Sequence, residues 1–211
     1  MTLKYFSWRG YGWVVSSYKG GPGSNTYSTD NAFIKDDGLH LKVSKSGGIW
    51  KCAELGSTIK LGYGTYRCVI QGKLNSLDPN IVLSMFNYGK VDYINEIDIE
   101  ISKWGNNKST LPLGYTVYPA TPGPKSVKLF PMVLKSDLST HRFTWTPSGV
   151  NFLSQQGVKG MNDLSEPIAS FSTSISLNIE MPICFDMWLM GGHAPKIGAE
   201  VVIKDFEYKK M

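Results

Sequence analysis

The sequence predicts an all-β fold, a two-sheet antiparallel β-sandwich. Short runs in which apolar and polar residues alternate with a period of two recur along the chain, and turn signals separate them at regular intervals. The 22 glycines and the 12% of aromatic residues are typical of a turn-rich, strand-rich globule. At 211 residues the chain fits a single domain, residues 1–211, with a core of its own.

Each predicted strand is a run of alternating or strand-forming residues between turns. The clearest is 80–88, where Leu83 takes one face and the aromatic pair Phe86 and Tyr88 takes the other. Residues 160–166 predict a short helical turn, and residues 119–131, rich in Pro, Gly and Lys, predict a long loop. In chain order, the predicted strands cover 5–15, 39–44, 50–55, 64–72, 80–88, 96–101, 113–118, 142–146, 150–153, 181–190 and 200–208.

The stretch from Asn95 to Gly105 carries the predicted chemistry, because Glu96, Asp98 and Glu100 alternate with three isoleucines and so share one face of a strand. The two glutamate Cα atoms lie roughly 13 Å apart, and converging side chains bring the carboxyl groups to about 5–6 Å, near the separation in retaining glycosidases. Glu96 would be the nucleophile, Glu100 the general acid/base, and Asp98 the group that keeps their ionisation states different. Without further evidence, the same pattern also fits an alternative without catalysis: a charged, exposed strand face, with or without a bound cation.

Charge and cysteine content exclude several classes of function. The net charge of +5 comes from scattered Lys and Arg residues without a nucleic-acid motif, so no nucleic-acid partner is expected. No apolar run approaches 18 residues, so no membrane span is expected. The spacing of Cys52, Cys68 and Cys184 fits neither a zinc site nor a disulfide framework, and a Cys-His nucleophile has no supporting motif.

The pentapeptide Glu96-Ile97-Asp98-Ile99-Glu100 resembles the signature of glycoside hydrolase family 16, in the unbulged form of its lichenase-like β-glucanases. The resemblance spans about Phe6 to Tyr208. It implies a concanavalin-like jelly roll with a concave sugar-binding sheet, and retaining endo-hydrolysis of a β-linked polysaccharide, foremost a β-1,3-1,4- or β-1,3-glucan. Five further stretches resemble the family in the expected order: 20–25, 50–54, 61–66, 141–147 and 186–188.

The resemblance also implies sugar contacts. Asn25 lies in a loop that borders the groove in the family, and Glu54 occupies the place of a glutamate that hydrogen-bonds a sugar. Tyr118 matches a tyrosine near the scissile sugar, and Trp188 matches a tryptophan that is a candidate for stacking. Asp186, two residues before Trp188, stands where the family typically has an asparagine.

Three aromatic residues are predicted contacts from their positions in the sequence. Phe86 and Tyr88 share the polar face of their strand, where an exposed aromatic pair is unusual and suits the apolar C–H faces of sugar rings. Trp104 continues the alternation of the carboxylates and would lie on the leaving-group side.

Some positions depart from the lichenase pattern. Gly56 replaces an arginine, Ile94 replaces a tryptophan, and Gly114 and Thr116 replace amide side chains. Cys52 also lacks the upstream cysteine with which its counterpart often pairs. These departures leave the polysaccharide open, and a galactan is another possibility.

Two other functions remain open, namely a non-catalytic carbohydrate-binding sandwich of the lectin kind and a transglycosylase on the same scaffold. No cofactor and no catalytic metal are expected, although a structural calcium ion is common in the resembled family. The expected partner is the polysaccharide alone, and the expected state is a monomer. Polymeric glucans cannot enter cells, so a secreted, periplasmic or cell-surface protein is expected, with its leader absent from this sequence.

Overall fold

The computed structural model describes residues 1–110 and 112–211, which form two antiparallel β-sheets packed face to face. The predicted two-sheet sandwich is confirmed. Helix is limited, in these residues, to two short 3-10 turns at Leu74–Ser76 and Met190–Gly192. The strands are β1 (Thr2–Trp8), β2 (Tyr11–Gly20), β3 (Asn25–Tyr27), β4 (Ala32–Lys35), β5 (Gly38–Ser46), β6 (Ile49–Lys51), β7 (Ala53–Ser57), β8 (Gly64–Gln71), β9 (Ile81–Val91), β10 (Ile94–Ile101), β11 (Leu113–Tyr118), β12 (Ser126–Phe130), β13 (Leu138–Thr146), β14 (Gly149–Gln156), β15 (Pro167–Thr173), β16 (Ile183–Leu189) and β17 (Ala199–Lys210).

The strand that carries the three predicted catalytic carboxylates, β10, lies inside the larger sheet. That nine-stranded sheet has the order β1-β2-β7-β16-β9-β10-β11-β12, with β3 paired to β2. The eight-stranded sheet has the order β15-β14-β13-β8-β17-β5-β4, with β6 paired to β5. Because β9 and β11 bond to the two edges of β10, its register and the direction of its side chains are fixed from both sides.

The core between the sheets explains which face of β10 is left for function. Ile97, Ile99 and Ile101 are buried there, with at most 2% of their surface exposed. Burial of an aliphatic side chain contributes about 1.5–3 kcal/mol, so the three isoleucines hold the alternate carboxylates on the opposite face. Aromatic contacts join the sheets, as in the stacked pair of Tyr115 on β11 and Phe152 on β14, with ring centroids 4.8 Å apart.

The predicted helical turn at 160–166 is wrong. Side chains from the eight-stranded sheet bind the carbonyl groups that a helix would pair with its own N–H groups. Arg142 donates to the carbonyl oxygens of Met161, Gly160 and Asp163, and Gln155 donates to that of Asp163. The segment forms a single turn, in which the Asp163 N–H donates to the Gly160 carbonyl oxygen, and its path depends further on hydrogen bonds from another part of the chain.

The predicted long loop at 119–131 is only half correct, because its second half forms β12, the edge strand beyond β11. Val127 pairs with Thr116, and Lys128 pairs with Tyr115. Residues 119–125 alone connect the two strands. The composition of this segment resembles that of a loop because a short edge strand can contain lysine and exposed residues. The strand was therefore not predicted.

The cysteines are free thiols, and Cys52 and Cys68 are buried. Burial raises the pKa of each of these two thiols to about 12, so neither is a thiolate near neutral pH. Burial also raises the pKa of Cys184 well above its ordinary value. Among the described residues, no helix has the length and apolar character needed to cross a bilayer.

Candidate active site

The pairing of β10 with its neighbours places the three predicted catalytic carboxylates on one face of the nine-stranded sheet. Residues that pair across antiparallel strands point to the same side. We call this side the carboxylate face. Each carboxylate has one partner on β9 and one on β11: Glu96 pairs with Tyr88 and Tyr118, Asp98 with Phe86 and Thr116, and Glu100 with Ser84 and Gly114.

Two further acids stand on the same face. Glu54 on β7 pairs with Asp186 on β16, Asp186 pairs with Ser84, and Ser84 pairs with Glu100. A continuous row of side chains therefore crosses four strands, from Glu54 on β7 to Glu100 on β10. It brings Glu54, a predicted sugar contact, to the same surface as the catalytic candidates, together with an acid that the sequence pattern did not single out as a contact.

Burial and mutual repulsion raise the pKa values of the three carboxylates on β10. Burial raises the pKa of Glu96 to about 7, to which the negative charge of Glu100 contributes, and burial alone raises that of Glu100 to about 7. The pKa of the almost fully buried Asp98 lies well above its ordinary value, first because of burial and then because of both glutamates. The positive charge of Lys125 lowers all three.

These pKa values keep protons on the row near neutral pH, as general acid catalysis requires. The two glutamates have similar pKa values, so their ionisation in the free protein does not distinguish the nucleophile from the acid. The division of labour between Glu96 and Glu100 therefore stays a prediction.

The surroundings of Glu54 and Asp186 affect the pKa values of these two paired acids differently. The Tyr18 hydroxyl donates to Glu54 Oε2 at 2.7 Å, which favours the carboxylate form and partly offsets the effect of burial on the pKa of Glu54. Asp186 is only 4% exposed, and its Oδ1 has no hydrogen-bond partner among the described residues. Burial and the charge of Glu54 raise the pKa of Asp186 well above its ordinary value, whereas a hydrogen bond with Ser84 acts in the opposite direction.

The predicted aromatic contacts surround the row. Phe86 and Tyr88 are partly exposed on the carboxylate face, and Tyr118 is partly exposed beside Glu96. Trp188 is almost fully buried and its indole nitrogen donates to Ser84 Oγ at 3.4 Å, so little of its ring is available for stacking.

Trp104 lies at the Glu100 end of the row. A Cβ atom on Gly114, the partner of Glu100, would be 3.5 Å from Trp104 Cζ2, an ordinary van der Waals distance, so the indole ring lies directly beside this position. The backbone of Trp104 has a φ of 55°, a conformation rare for a bulky residue. Its indole nitrogen is buried without a partner among the described residues.

Asn25 is placed differently from the prediction, because its side chain is buried rather than on the carboxylate face. Its Nδ2 donates to the carbonyl oxygens of Pro22 and Leu189, and its Oδ1 accepts from the Leu189 N–H and from Cys52 Sγ. The amide is therefore fully used within the protein. Asn25 joins the loop before β3 to the end of β16, and the predicted sugar contact through this side chain is not accessible.

Two residues near Glu96 were missed by the sequence analysis. Lys125 Nζ donates to the Tyr118 hydroxyl at 3.1 Å and lies 5.0 Å from the centre of its ring. The ring of Tyr93 lies 5.6 Å from that of Tyr118. The sequence shows that Lys125 lies in a loop containing lysine. Its position near Glu96 becomes evident only from the pairing of β11 with β12.

No three His, Cys, Asp or Glu side chains of the described residues converge in the way that a metal site requires. Two surface cavities of about 300 and 580 Å³ are lined by residues outside the carboxylate face, around Asn151 and around Arg9. The candidate site is therefore the sheet face itself.

Solved structures with the same arrangement of strands exist, although no protein-family model and no curated protein matches the sequence. A Bacillus licheniformis β-glucanase superposes with a TM-score of 0.73 at 20% identity, covering 99% of this chain and 98% of that chain. The chain has the jelly-roll fold of the β-glucanases.

Two other similar structures carry different descriptions. A prokaryotic β-1,3-1,4-glucanase (lichenase) from a mouse hindgut metagenome is 22% identical, with a TM-score of 0.69 and coverage of 94% of this chain and 93% of that one. A Mycobacterium tuberculosis protein described as an immunostimulatory antigen and pseudo β-1,3-glucanase is 21% identical, with a TM-score of 0.66 and coverage of 91% and 88%. At these identities the similarity shows the fold.

Proposed function

We propose that the protein is a retaining endo-glycoside hydrolase that cleaves a β-linked polysaccharide. The observation that carries this proposal is the row Glu96, Asp98 and Glu100 on the side of an interior strand that faces away from the core, with glutamate pKa values near 7. The β-glucanase fold of the chain supports the same reaction class.

In the proposed mechanism Glu96 attacks the anomeric carbon while Glu100 gives its proton to the departing glycosidic oxygen. A covalent glycosyl-enzyme and a free chain end result. Glu100, now a carboxylate, then takes a proton from water, the water oxygen attacks the anomeric carbon, and the bond to Glu96 breaks. Asp98 lies between them and, as a neutral acid, can donate a hydrogen bond to the nucleophile without adding a third charge.

The substrates proposed for testing are β-1,3-1,4-glucan and β-1,3-glucan. Equatorial hydroxyl groups leave apolar C–H faces on their glucose rings, which match the partly exposed rings of Phe86, Tyr88 and Tyr118. Gly56 lies on the same face without a side chain to anchor a sugar, so the choice between linkages is best settled with a panel that also contains a galactan.

The deciding experiment replaces each glutamate and measures reducing sugar released from the panel. Glu96→Ala and Glu100→Ala are expected to abolish cleavage, by about a thousandfold or more, while the melting temperature stays near that of the wild type. Glu180→Ala, at an exposed glutamate outside the row, is the matched control and should cleave normally. Full activity in either of the first two variants would refute the assignment.

A non-catalytic carbohydrate-binding protein is the second candidate, because one structure with this fold is described as a pseudo β-1,3-glucanase. A binder would retain polysaccharide without releasing reducing ends. A transglycosylase would form the same glycosyl-enzyme but pass the sugar to another glycan, so products longer than the substrate would reveal it. The hydrolase proposal further implies a monomer that works outside the cell and needs no cofactor.

A further inference from the structure

The turn between β9 and β10 borders Glu96 and has an unusual backbone. Lys90, Tyr93 and Asn95 have φ values of 69°, 67° and 53°, in the left-handed region that side chains other than glycine rarely adopt. Three such residues within six positions make this a strained segment, and a register irregularity between Ile94 and Glu96 accompanies it. Strain of this kind persists where the surrounding structure enforces it and is concentrated at functional sites.

Contacts on both sides hold the turn against the catalytic row. The Tyr88 hydroxyl donates to Asp92 Oδ1 at 2.5 Å, and Tyr88 is the β9 partner of Glu96. On the other side the Asn95 N–H donates to the carbonyl oxygen of Pro119, directly after Tyr118, the β11 partner of Glu96. The negative charge of Asp92 also contributes to the raised pKa of Glu96, so the turn and the carboxylate are electrostatically close.

Tyr93 is the side chain that this arrangement presents. It is 69% exposed, although its ring is large and apolar, and its one aromatic contact is with Tyr118, at 5.6 Å and an interplanar angle of 56°. Lys125 lies over the Tyr118 ring and donates to its hydroxyl, which fixes that ring in place. The result is a tilted pair of tyrosine rings beside Glu96, with most of one ring open to solvent.

We propose that Tyr93 is a substrate-binding residue whose ring, together with that of Tyr118, holds the C–H face of a sugar unit bound next to Glu96. The inference rests on the proposed carbohydrate substrate and adds a residue to its binding surface. The chemistry favours a β-linked neutral hexopyranose with equatorial hydroxyl groups, because both sides of such a ring offer flat C–H faces to an aromatic pair. The strained turn is then the means of bringing the tyrosine over the site.

The test compares Tyr93→Gly with Tyr93→Phe. Affinity for β-1,3-1,4-glucan and β-1,3-glucan oligosaccharides of four to five units is measured in a Glu96→Gln background that blocks turnover, and KM and kcat are measured without that background. Tyr93→Gly should weaken binding about three- to tenfold and raise KM similarly, with kcat within about twofold. Its melting temperature should be unchanged or higher, because glycine adopts positive φ without strain. Tyr93→Phe should retain wild-type affinity.

Tyr5→Ala is the matched control. Tyr5 is 63% exposed on the edge strand β1 of the same sheet, five strands from β10, or about 24 Å away. This variant should bind the short oligosaccharides as the wild type does.

Three results would overturn the proposal. Wild-type affinity in Tyr93→Gly, alongside normal binding by the parent protein, would remove Tyr93 from the site and leave the proposed function standing. A lower melting temperature in Tyr93→Gly together with weaker binding in Tyr93→Phe would assign Tyr93 a structural role. Absence of both binding and cleavage in the parent protein would reject the proposed function, and with it the role of Tyr93 and Tyr118 in sugar binding.

Discussion

Asp186 has no positively charged partner among the described residues. The charges that act on it are those of Glu54, Glu100 and Glu96, and its Oδ1 is buried without a hydrogen-bond partner among the described residues. Burial and these like charges therefore favour the neutral acid over the ion, and the hydrogen bond with Ser84 offsets them only in part. In that form its hydroxyl is a donor on the carboxylate face, and its chemistry approaches that of an amide.

Asp186→Asn should consequently be tolerated. Asparagine has the same shape and stays neutral, so we expect the free energy of unfolding at pH 7 to change by less than about 1 kcal/mol, or to increase. Cleavage should stay within about tenfold of the wild type. Urea unfolding and initial rates check this, with Asp98→Asn as a comparison that should fold but lose most activity. A loss of several kcal/mol in Asp186→Asn would show that the folded protein needs the ionised carboxylate.

The sequence located the catalytic candidates but not all of their neighbours, for physical reasons. Alternation within one strand is a local property, so the shared face of Glu96, Asp98 and Glu100 could be predicted. The contacts of Tyr93 and Lys125 with Tyr118 join different strands, and cross-strand register is not written in the local pattern. Asn25 was misjudged because a glycine- and proline-rich loop normally lies at the surface.

At the scale of elements, Arg142 determines the path of residues 160–166. Its guanidinium donates to three carbonyl oxygens of that segment and to Gln155 Oε1, and the residue is almost fully buried. A planar group with several donors can satisfy divergent acceptors that an ammonium group cannot. One side chain of the eight-stranded sheet thus replaces a helix's own hydrogen bonds.

Arg142→Lys should therefore destabilise the protein although it keeps the charge. Three partly buried carbonyl oxygens lose a donor, which we expect to cost about 2 kcal/mol. Urea unfolding measures the loss, and limited proteolysis should show faster cleavage within 157–166. Arg9→Lys, at an exposed arginine, is the control and should be neutral. Equal stability of Arg142→Lys and the wild type would mean that the segment is held by other contacts.

Strands with strong alternation were predictable, whereas β12 was not. Ile97 and Ile99 sit in a continuous period-2 pattern with buried alternate positions, so both the strand and its face followed from the sequence. The residues of β12 are partly or fully exposed, and a short edge strand of this kind has the composition of a loop.

At the scale of the whole molecule, the carboxylate face lowers the free energy of unfolding by an amount that depends on pH. The pKa values of Glu96 and Glu100, about 7 in the folded protein, lie above their ordinary value of 4.5. Between these pH values the folded state binds more protons than the unfolded state, so the free energy of unfolding falls as the pH rises. Catalytic sites commonly oppose stability in this way.

Replacing both glutamates should remove this dependence. We expect Glu96→Gln combined with Glu100→Gln to be more stable than the wild type at pH 8, by on the order of 1–3 kcal/mol, with little difference near pH 4. Urea unfolding at several pH values measures the difference. Glu180→Gln, at an exposed position, should show none. A constant offset at all pH values would contradict the raised pKa values.

The order of the strands in the two sheets cannot be predicted from the local sequence pattern. Ala53–Ser57 pairs with Ile183–Leu189, more than a hundred residues later, and that strand then pairs with Ile81–Val91. The fold class followed from alternation and turns, and the jelly-roll order followed from the resemblance to a family. Residues that meet only through such distant pairings, such as Glu54 and Asp186, could not be joined from composition or spacing.

The acids of the carboxylate face also set an electrical polarity on a chain whose net charge is +5. A polysaccharide bearing sulfate or uronate groups would be repelled by the ionised fraction of these acids at the proposed cleavage site and attracted by lysines elsewhere, so it should bind unproductively. A carboxymethylated glucan should accordingly be degraded more slowly than its unmodified parent, and added salt should narrow the gap by screening both forces.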